Sequence, residues 1–454
     1  MPHNEEQRKQ EILKLLQESL DSGSAENLDW LKEGLRELHP SEIADLLESL
    51  PPKDREHLWA LIDPELEGEV LAHAQDGVRA SLLEHMQPHE VAAATENLET
   101  DDATDIIQDL AEDVVDDVLG AMDEHNRSRL EKALSYPEDT AGGLMNTQLL
   151  SVYDDVDLDV VIRYLRMKGE VPEKSDSLVV VDRNNRYKGM LPLTKILTES
   201  PEKKVSEVMN TEIEAVSPDM PANEVAKLFE QRDLYSVAVV DEEGVPLGRI
   251  TVDDIVDVIR DLGDHSLMSM AGLDEDDDMF APVVVSAKRR AVWLGINLAT
   301  AFLAAWVIGL FSTTIEKLVA LAVLMPIVAS MGGIAGSQTL TIVIRGLAIG
   351  QLGPANSRAL LIKEIAVGLL NGILWALVVG TIAGLWFRDE SLGLVIAVAM
   401  IVNLLIAALF GGTIPLILKK MDIDPALAGG VILTTVTDVV GFMVFLGLAT
   451  LFLV

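Results

Sequence analysis

Asp438 is the residue whose type and position most constrain the chemistry. It is the single acidic residue in the otherwise uncharged run from Pro425 to Val454. A lone carboxylate near the middle of a membrane helix costs about 2.5–3.5 kcal/mol on insertion scales. Such a group faces a water-filled path or a partner rather than lipid, and its simplest use there is to bind a cation in transit. Thr434 lies one helical turn earlier on the same face. A second segment offers matching chemistry: Pro326 is followed by Met331-Gly332-Gly333-Ile334-Ala335-Gly336-Ser337-Gln338-Thr339. Three glycines weaken a helix, and broken backbone at membrane depth survives only inside protein or beside water. Carbonyls of Gly332, Gly333 and Gly336, with the Ser337 hydroxyl, are therefore expected to line a cation path. The competing use of the same glycines is close helix packing. Glu316, Glu364 and Asp424 stand at the ends of apolar runs, as further ligands or as solvated end charges; for Glu316 the solvated end is the expectation.

These residues need a membrane domain to hold them. Five uncharged stretches are each long enough to span: Ala291–Ile315, Leu318–Ile344, Ile365–Phe387, Ser391–Leu418 and Pro425–Val454. With the N-terminus inside, Lys288, Arg289, Arg290, Arg345, Arg358, Lys363, Lys419 and Lys420 are cytoplasmic, and only Lys317 and Arg388 are outside. That positive-inside bias puts the N-terminal half in the cytoplasm and the C-terminus outside. An odd number of spans argues against an inverted repeat of equal halves.

Charge divides the chain in the same place. Of 454 residues, 281–454 carry ten Lys/Arg and seven Asp/Glu, net +3, whereas 1–280 carry 25 and 66, net −41. So acidic a half disfavours nucleic acid, which needs positive potential, and favours cations; solubility alone would also account for it. Cysteine is absent, which excludes disulfides and thiolate metal sites. The first twelve residues lack the apolar core of a signal peptide.

Residues 1–140 show helical periodicity broken at prolines. Leu38-His39-Pro40-Ser41-Glu42 and Met86-Gln87-Pro88-His89-Glu90 recur 48 residues apart, as stacked helical hairpins would. His85 and His89 have metal-pair spacing, but Pro88 between them marks a helix start, so both are read as surface residues. Asp101, Asp102 and Asp105 form a dense acidic cluster at a helix start, where the dipole alone would favour them. Residues 141–262 then switch to a strand–turn–strand–helix pattern, at Ser177–Asp182 with Tyr187–Leu191 and again at Ser236–Asp241 with Pro246–Ile250. The helix after the second pair opens at Val252.

The two β/α units resemble a CBS pair, the regulatory module named for cystathionine β-synthase. Tyr136-Pro137-Glu138-Asp139-Thr140-Ala141-Gly142-Gly143-Leu144-Met145 ahead of them is similar to the junction motif of the MgtE magnesium channels. Pro326, Gly332-Gly333, Gly336, Gln338, Ile344 to Ala348, Lys363-Glu364, Asp424-Pro425-Ala426 and Asp438 fall in register with that family. The resemblance covers nearly the whole chain. It implies a multidomain membrane protein: an all-α superhelical N-domain (1–140), an α/β CBS pair (141–262), a connecting "plug" helix and linker (263–285) and an all-α five-span pore domain (286–454). It further implies a homodimer in the cell's inner membrane whose pore admits Mg2+, with the Asp438 carboxylate holding a largely hydrated ion. The physics agrees, because Mg2+ dehydrates reluctantly.

The gate is likewise what the resemblance implies. Mg2+ would bridge Asp101, Asp102 and Asp105 to Asp253, Asp254 and Asp257, with Asp261 and Asp264 on the plug. When Mg2+ is scarce these surfaces repel and free the pore. Three departures stand out. Ile334, Ser337 and Gly430 replace the family's usual asparagines, which leaves Co2+ and Ni2+ as competing ions. The plug is less acidic than the family pattern, so that Asp274–Asp278 are alternative sensors. Thr251 and Asp254 keep the Thr-x-x-Asp spacing of a nucleotide ribose site, for instance for ATP, whereas Pro192 and Lys195 replace it in the first module. The competing functions are a membrane-anchored divalent-cation sensor and an enzyme. No phosphate-binding loop or nucleophile set supports the enzyme.

Overall fold

The protein is described by a computed structural model covering residues 9, 12–16, 25–169, 171–172, 174–273, 278–421 and 423–454. Of the alternative sensors at 274–278, only Asp278 lies among them. Two compact units make up the chain, Met1–Gly263 with Asp276–Pro282 and Asp264–Glu275 with Val283–Val454.

In the first unit, short helices run from Ala25–Arg36 to Glu124–Ala133. Ile43, Leu47, Leu58, Leu71, Ile106 and Val118 are completely buried between them. The motif recurring 48 residues apart is a helix start: Pro40 and Pro88 each sit in the first turn, where no N–H is needed. Glu42 then accepts from the His39 N–H at 2.9 Å, and Glu90 from the Gln87 N–H at 2.7 Å. Because Pro88 opens the helix Pro88–Thr95, His85 and His89 do not share a helix. His85 instead contacts the Ser81 carbonyl at 3.0 Å.

The two β/α units follow. β1 (Ser151–Tyr153) pairs parallel with β2 (Ser177–Val181), which pairs antiparallel with β3 (Tyr187–Pro192). β4 (Ser236–Val240) pairs antiparallel with β5 (Pro246–Thr251). The strand pairs lie where the repeated pattern put them; the three-residue β1 is too short to show a period. Ser177 and Ser236, equivalent positions of the two modules, meet at 3.2 Å between their hydroxyls.

The helix after β5 is continuous from Val252 to Met270. No separate helix begins at 263, because Ile255, Val258, Ile259 and Leu262 carry helical apolar spacing up to Gly263. One interior glycine costs a helix only about 1 kcal/mol.

In the second unit five helices are long and apolar enough to cross a membrane: Val283–Gly309, Ala320–Ala348, Ser357–Phe387, Glu390–Lys420 and Pro425–Phe452. They are the first to fifth spans below. The first ends earlier than its apolar run, since a short helix, Ser312–Lys317, takes the end of that run. The fourth span is the most enclosed, burying Ile396, Ala399, Met400, Asn403, Leu404 and Ala407 among its neighbours.

Candidate functional site

The second and fifth spans flank an open groove of about 950 Å³, lined by Ala329, Ser330, Gly333, Ile334, Ser337, Gln338, Thr341, Ile342, Thr434 and Asp438. Asp438 lies midway along the fifth span, and Gly333 and Ser337 midway along the second. The polar lining carries oxygen, supplied by a carboxylate, hydroxyls and one amide, and no Lys, Arg or His is among the lining residues. Oxygen donors without imidazole or sulfur suit hard cations such as Mg2+. The Thr434 hydroxyl donates to its own helix, to the carbonyls of Gly430 at 2.9 Å and Val431 at 3.1 Å. Its lone pairs are left to accept from an ion's water.

The second span departs from the sequence expectation. It is one unbroken helix from Ala320 to Ala348 with Pro326 inside it, so it presents no unwound carbonyls. Gly332 and Gly336 are buried and do not line the groove. A Cβ on Gly332 would lie 2.3 Å from Asn403 Nδ2, and one on Gly336 would lie 3.0 Å from the Leu433 side chain. Gly336 also lets the fourth span approach: a Cβ on Gly411 would stand 2.7 Å from the Gly336 carbonyl oxygen. These two glycines serve helix packing. Gly333, where a Cβ would meet nothing within 4 Å, is the one that faces the groove.

The remaining end charges also find their places. Glu316 is exposed on the short helix Ser312–Lys317. Asp424 caps the fifth span, accepting from the N–H groups of Ala426 at 2.9 Å and Leu427 at 3.1 Å, and meets His265 Nε2 at 3.3 Å. Glu364 does not open the third span, which begins at Ser357. It is 3% exposed, accepts from the Thr339 hydroxyl at 3.1 Å and pairs with Lys363 at 2.6 Å.

The first unit holds the cytoplasmic candidates. Glu99, Asp101 and Asp102 bring carboxylate oxygens within 4.8 Å of one another at the start of the helix Thr100–Gln108. Burial raises the Asp101 carboxyl well above the usual range, and the nearby charges of Asp254 and Asp102 raise it further. Burial raises Asp102 too, with Asp253 and Asp257 adding to the effect while Lys174 and His73 oppose it. Asp254 is pushed up to about 7, chiefly by burial. Asp101 and Asp102 thus stand close to Asp253, Asp254 and Asp257. Asp105 differs: burial raises it to about 8, and Arg79 is the largest charge opposing that rise. Asp257 and Asp261 share Arg260, at 3.2 and 3.3 Å. Asp264 is exposed and lies in the second unit.

Lys174 was not expected there. Its ammonium reaches Asp253 and, at 3.4 Å, Glu99. It holds Asp253 below its ordinary pKa against the opposing effect of burial. Thr251 and Asp254, the ribose pair, bond to each other instead: Asp254 accepts from the Thr251 N–H at 2.9 Å and hydroxyl at 3.1 Å.

A curated relative decides the family. The magnesium transporter MgtE of Thermus thermophilus is 30% identical over 444 residues, covering 96% of this chain and 98% of its own. The chain belongs to the MgtE family of magnesium transporters. The Bacillus subtilis MgtE is 28% identical, covering 92% of each chain. Family models match residues 325–448 (MgtE, divalent cation transporter), 38–139 (MgtE intracellular N domain), and 141–202 and 205–261 (CBS domain). A solved cytosolic domain of the Mg2+ channel MgtE in complex with ATP is 32% identical, covering 54% of this chain and 98% of its own, with a TM-score of 0.48.

Two buried polar residues of this MgtE chain escaped the sequence reading. Glu364 looked like an end charge because its helix starts earlier than its apolar run. Asn403, 1% exposed in the fourth span, is the only amide in that apolar stretch, and that isolation was the available signal.

Proposed function

We propose that the chain is a Mg2+-selective channel that admits Mg2+ to the cytoplasm and closes when Mg2+ binds its acidic cytoplasmic half. Asp438 carries this reading: a half-buried carboxylate midway along a span, in a groove with oxygen donors and no cationic side chain. A groove open on one side is half of a pore. Two copies related by a two-fold axis would complete it and set two Asp438 carboxylates at one level. Few direct ligands let Mg2+ keep most of its water, with Asp438, Thr434, Ser337 and Gln338 accepting from the hydration shell. The lining offers no imidazole or sulfur ligand, the donors that most favour Co2+ and Ni2+.

The gate rests on the second cluster. Glu99, Asp101 and Asp102 of the N-domain and Asp253 and Asp254 of the CBS pair oppose one another, with Lys174 between them and Arg249 beside Glu99 at 3.9 Å. Divalent ions bridging these carboxylates would hold the two domains together, and their loss would let the domains part. ATP is a candidate ligand of the CBS pair. Thr251 and Asp254 would have to give up their mutual bonds to hold its ribose.

Divalent flux into proteoliposomes tests the reading. Wild type should pass Mg2+ when Mg2+ on the cytoplasmic face is low, and Asp438→Ala should lose that flux or its selectivity. Mg2+-protected proteolysis of wild type without any flux would instead mean a membrane-anchored sensor.

A further inference from the structure

Asn403 sits on the fourth span, outside the groove, yet it touches both helices that line it. Its Nδ2 donates to the Val328 carbonyl of the second span at 2.8 Å. A Cβ on Gly332 of that span would come within 2.3 Å of the same nitrogen, and a Cβ on Gly441 of the fifth span within 2.9 Å. Gly332 immediately precedes groove-lining Gly333, and Gly441 lies less than one turn beyond Asp438. The amide is 1% exposed, and its Oδ1 has no hydrogen-bond partner among the described residues. An amide at that depth with an unpaired oxygen costs stability that an apolar side chain of the same shape would not.

We infer that Asn403 is a positioning residue for the groove. Its amide fixes the second span at Val328 and is wedged between Gly332 and Gly441, and so sets how far Ser337 and Gln338 stand from Asp438. The inference rests on the groove being the ion path. In a site that holds a hydrated ion through several oxygens, that spacing decides which hydrated radius fits, so Asn403 governs discrimination between ions rather than the presence of a path. The two glycines belong to the same device: each is small because the amide occupies the space where a Cβ would go.

The test is divalent flux of the full-length protein in proteoliposomes, read as the ratio of Mg2+ to Ca2+ flux for wild type, Asp438→Ala, Asn403→Leu and Gly441→Ala. A ratio does not depend on how much protein inserts. Leucine keeps the branched heavy-atom skeleton of asparagine, with greater bulk, and removes the amide. The inference predicts that Asn403→Leu conducts but loses discrimination by about tenfold, the low end of what removing a group behind a metal ligand costs. Gly441→Ala, which must displace the amide, should move the ratio the same way and tests the inference even if Asn403→Leu does not fold. Wild-type ratios in Asn403→Leu, or in Gly441→Ala if that alone folds, would overturn it. If Asp438→Ala also keeps the wild-type ratio, the groove is not the path, and this inference fails with that reading.

Discussion

The two carboxylate sites that the proposed reading gives to a cation are built in opposite ways. In the groove a single carboxylate stands among hydroxyls, an amide and apolar side chains, with no cationic side chain lining it. In the cytoplasmic cluster several carboxylates crowd one another, half-buried or buried, with Lys174 among them. On the proposed reading, the contrast follows from what each must do. A site that passes an ion must bind weakly and leave the hydration shell in place. A site that senses an ion must change state when the ion leaves, and crowded carboxylates without their cation store repulsion for that purpose. Lys174 and Arg249 limit that repulsion by standing as monovalent cations beside the carboxylates.

Removing a charge should therefore have different consequences in the two places. Asp438→Ala has the largest expected effect. Mg2+ flux should fall at least as far as the 10–100-fold that losing a group behind a metal ligand costs. A variant that still passes Mg2+ selectively would break the comparison at once. Asp254→Asn should leave the path intact and shift closure, with the Mg2+ needed on the cytoplasmic face rising about tenfold, equivalent to ~1.4 kcal/mol. An Asp254→Asn protein with an unchanged closing concentration, measured by flux at graded Mg2+, would remove that residue from the gate.

Proton linkage sharpens the difference. Asp254 and Asp105 are pushed up from 3.8 to about 7 and about 8, chiefly by burial. The folded form thus keeps protons that the unfolded chain has lost. Without metal, stability should fall as pH rises from about 4 through about 8. Mg2+ needs the ionised carboxylates, so it should displace those protons, and its stabilising effect should grow over the same range. Thermal unfolding at about pH 6 and pH 8, with and without Mg2+, reads this directly; a Mg2+ effect that shrinks with pH would contradict it. The smallest expected effect belongs to Lys174→Met. Loss of the tethered ammonium should tighten divalent binding and lower the closing concentration by about two- to fivefold, the scale of a partly exposed ion pair. A shift in the other direction would mean that Lys174 acts mainly to hold the domains together.

Much of this was legible in the sequence because the signals were strongly patterned. Ser177–Asp182 and Ser236–Asp241 repeat one strand pattern, and both became strands. Asp438 and Thr434 share a helical face, and both line the groove. Other features were misread because composition does not report who the neighbour is. Gly332, Gly333 and Gly336 read alike in the sequence, yet only Gly333 opens on the groove, because Asn403 and Leu433 occupy the space beside the other two. The helix that opens at Val252 runs on past Gly263 to Met270, because one glycine does not end a helix whose apolar spacing runs up to it. Local pattern gives no sign of Lys174, and it marks Asn403 as an isolated amide without saying what it meets. Lys174 meets Glu99 and Asp253, and Asn403 meets Val328, only across long stretches of chain.

The account's central claim is that the groove at Asp438 is a selective Mg2+ path. The most direct measurement is flux of Mg2+, Co2+, Ca2+ and Na+ into proteoliposomes, wild type beside Asp438→Ala, with Mg2+ low on the cytoplasmic face. The account predicts Mg2+-selective flux in wild type that is lost or made unselective in the variant. Wild-type selectivity retained without the carboxylate, or no wild-type flux at low cytoplasmic Mg2+, would contradict it.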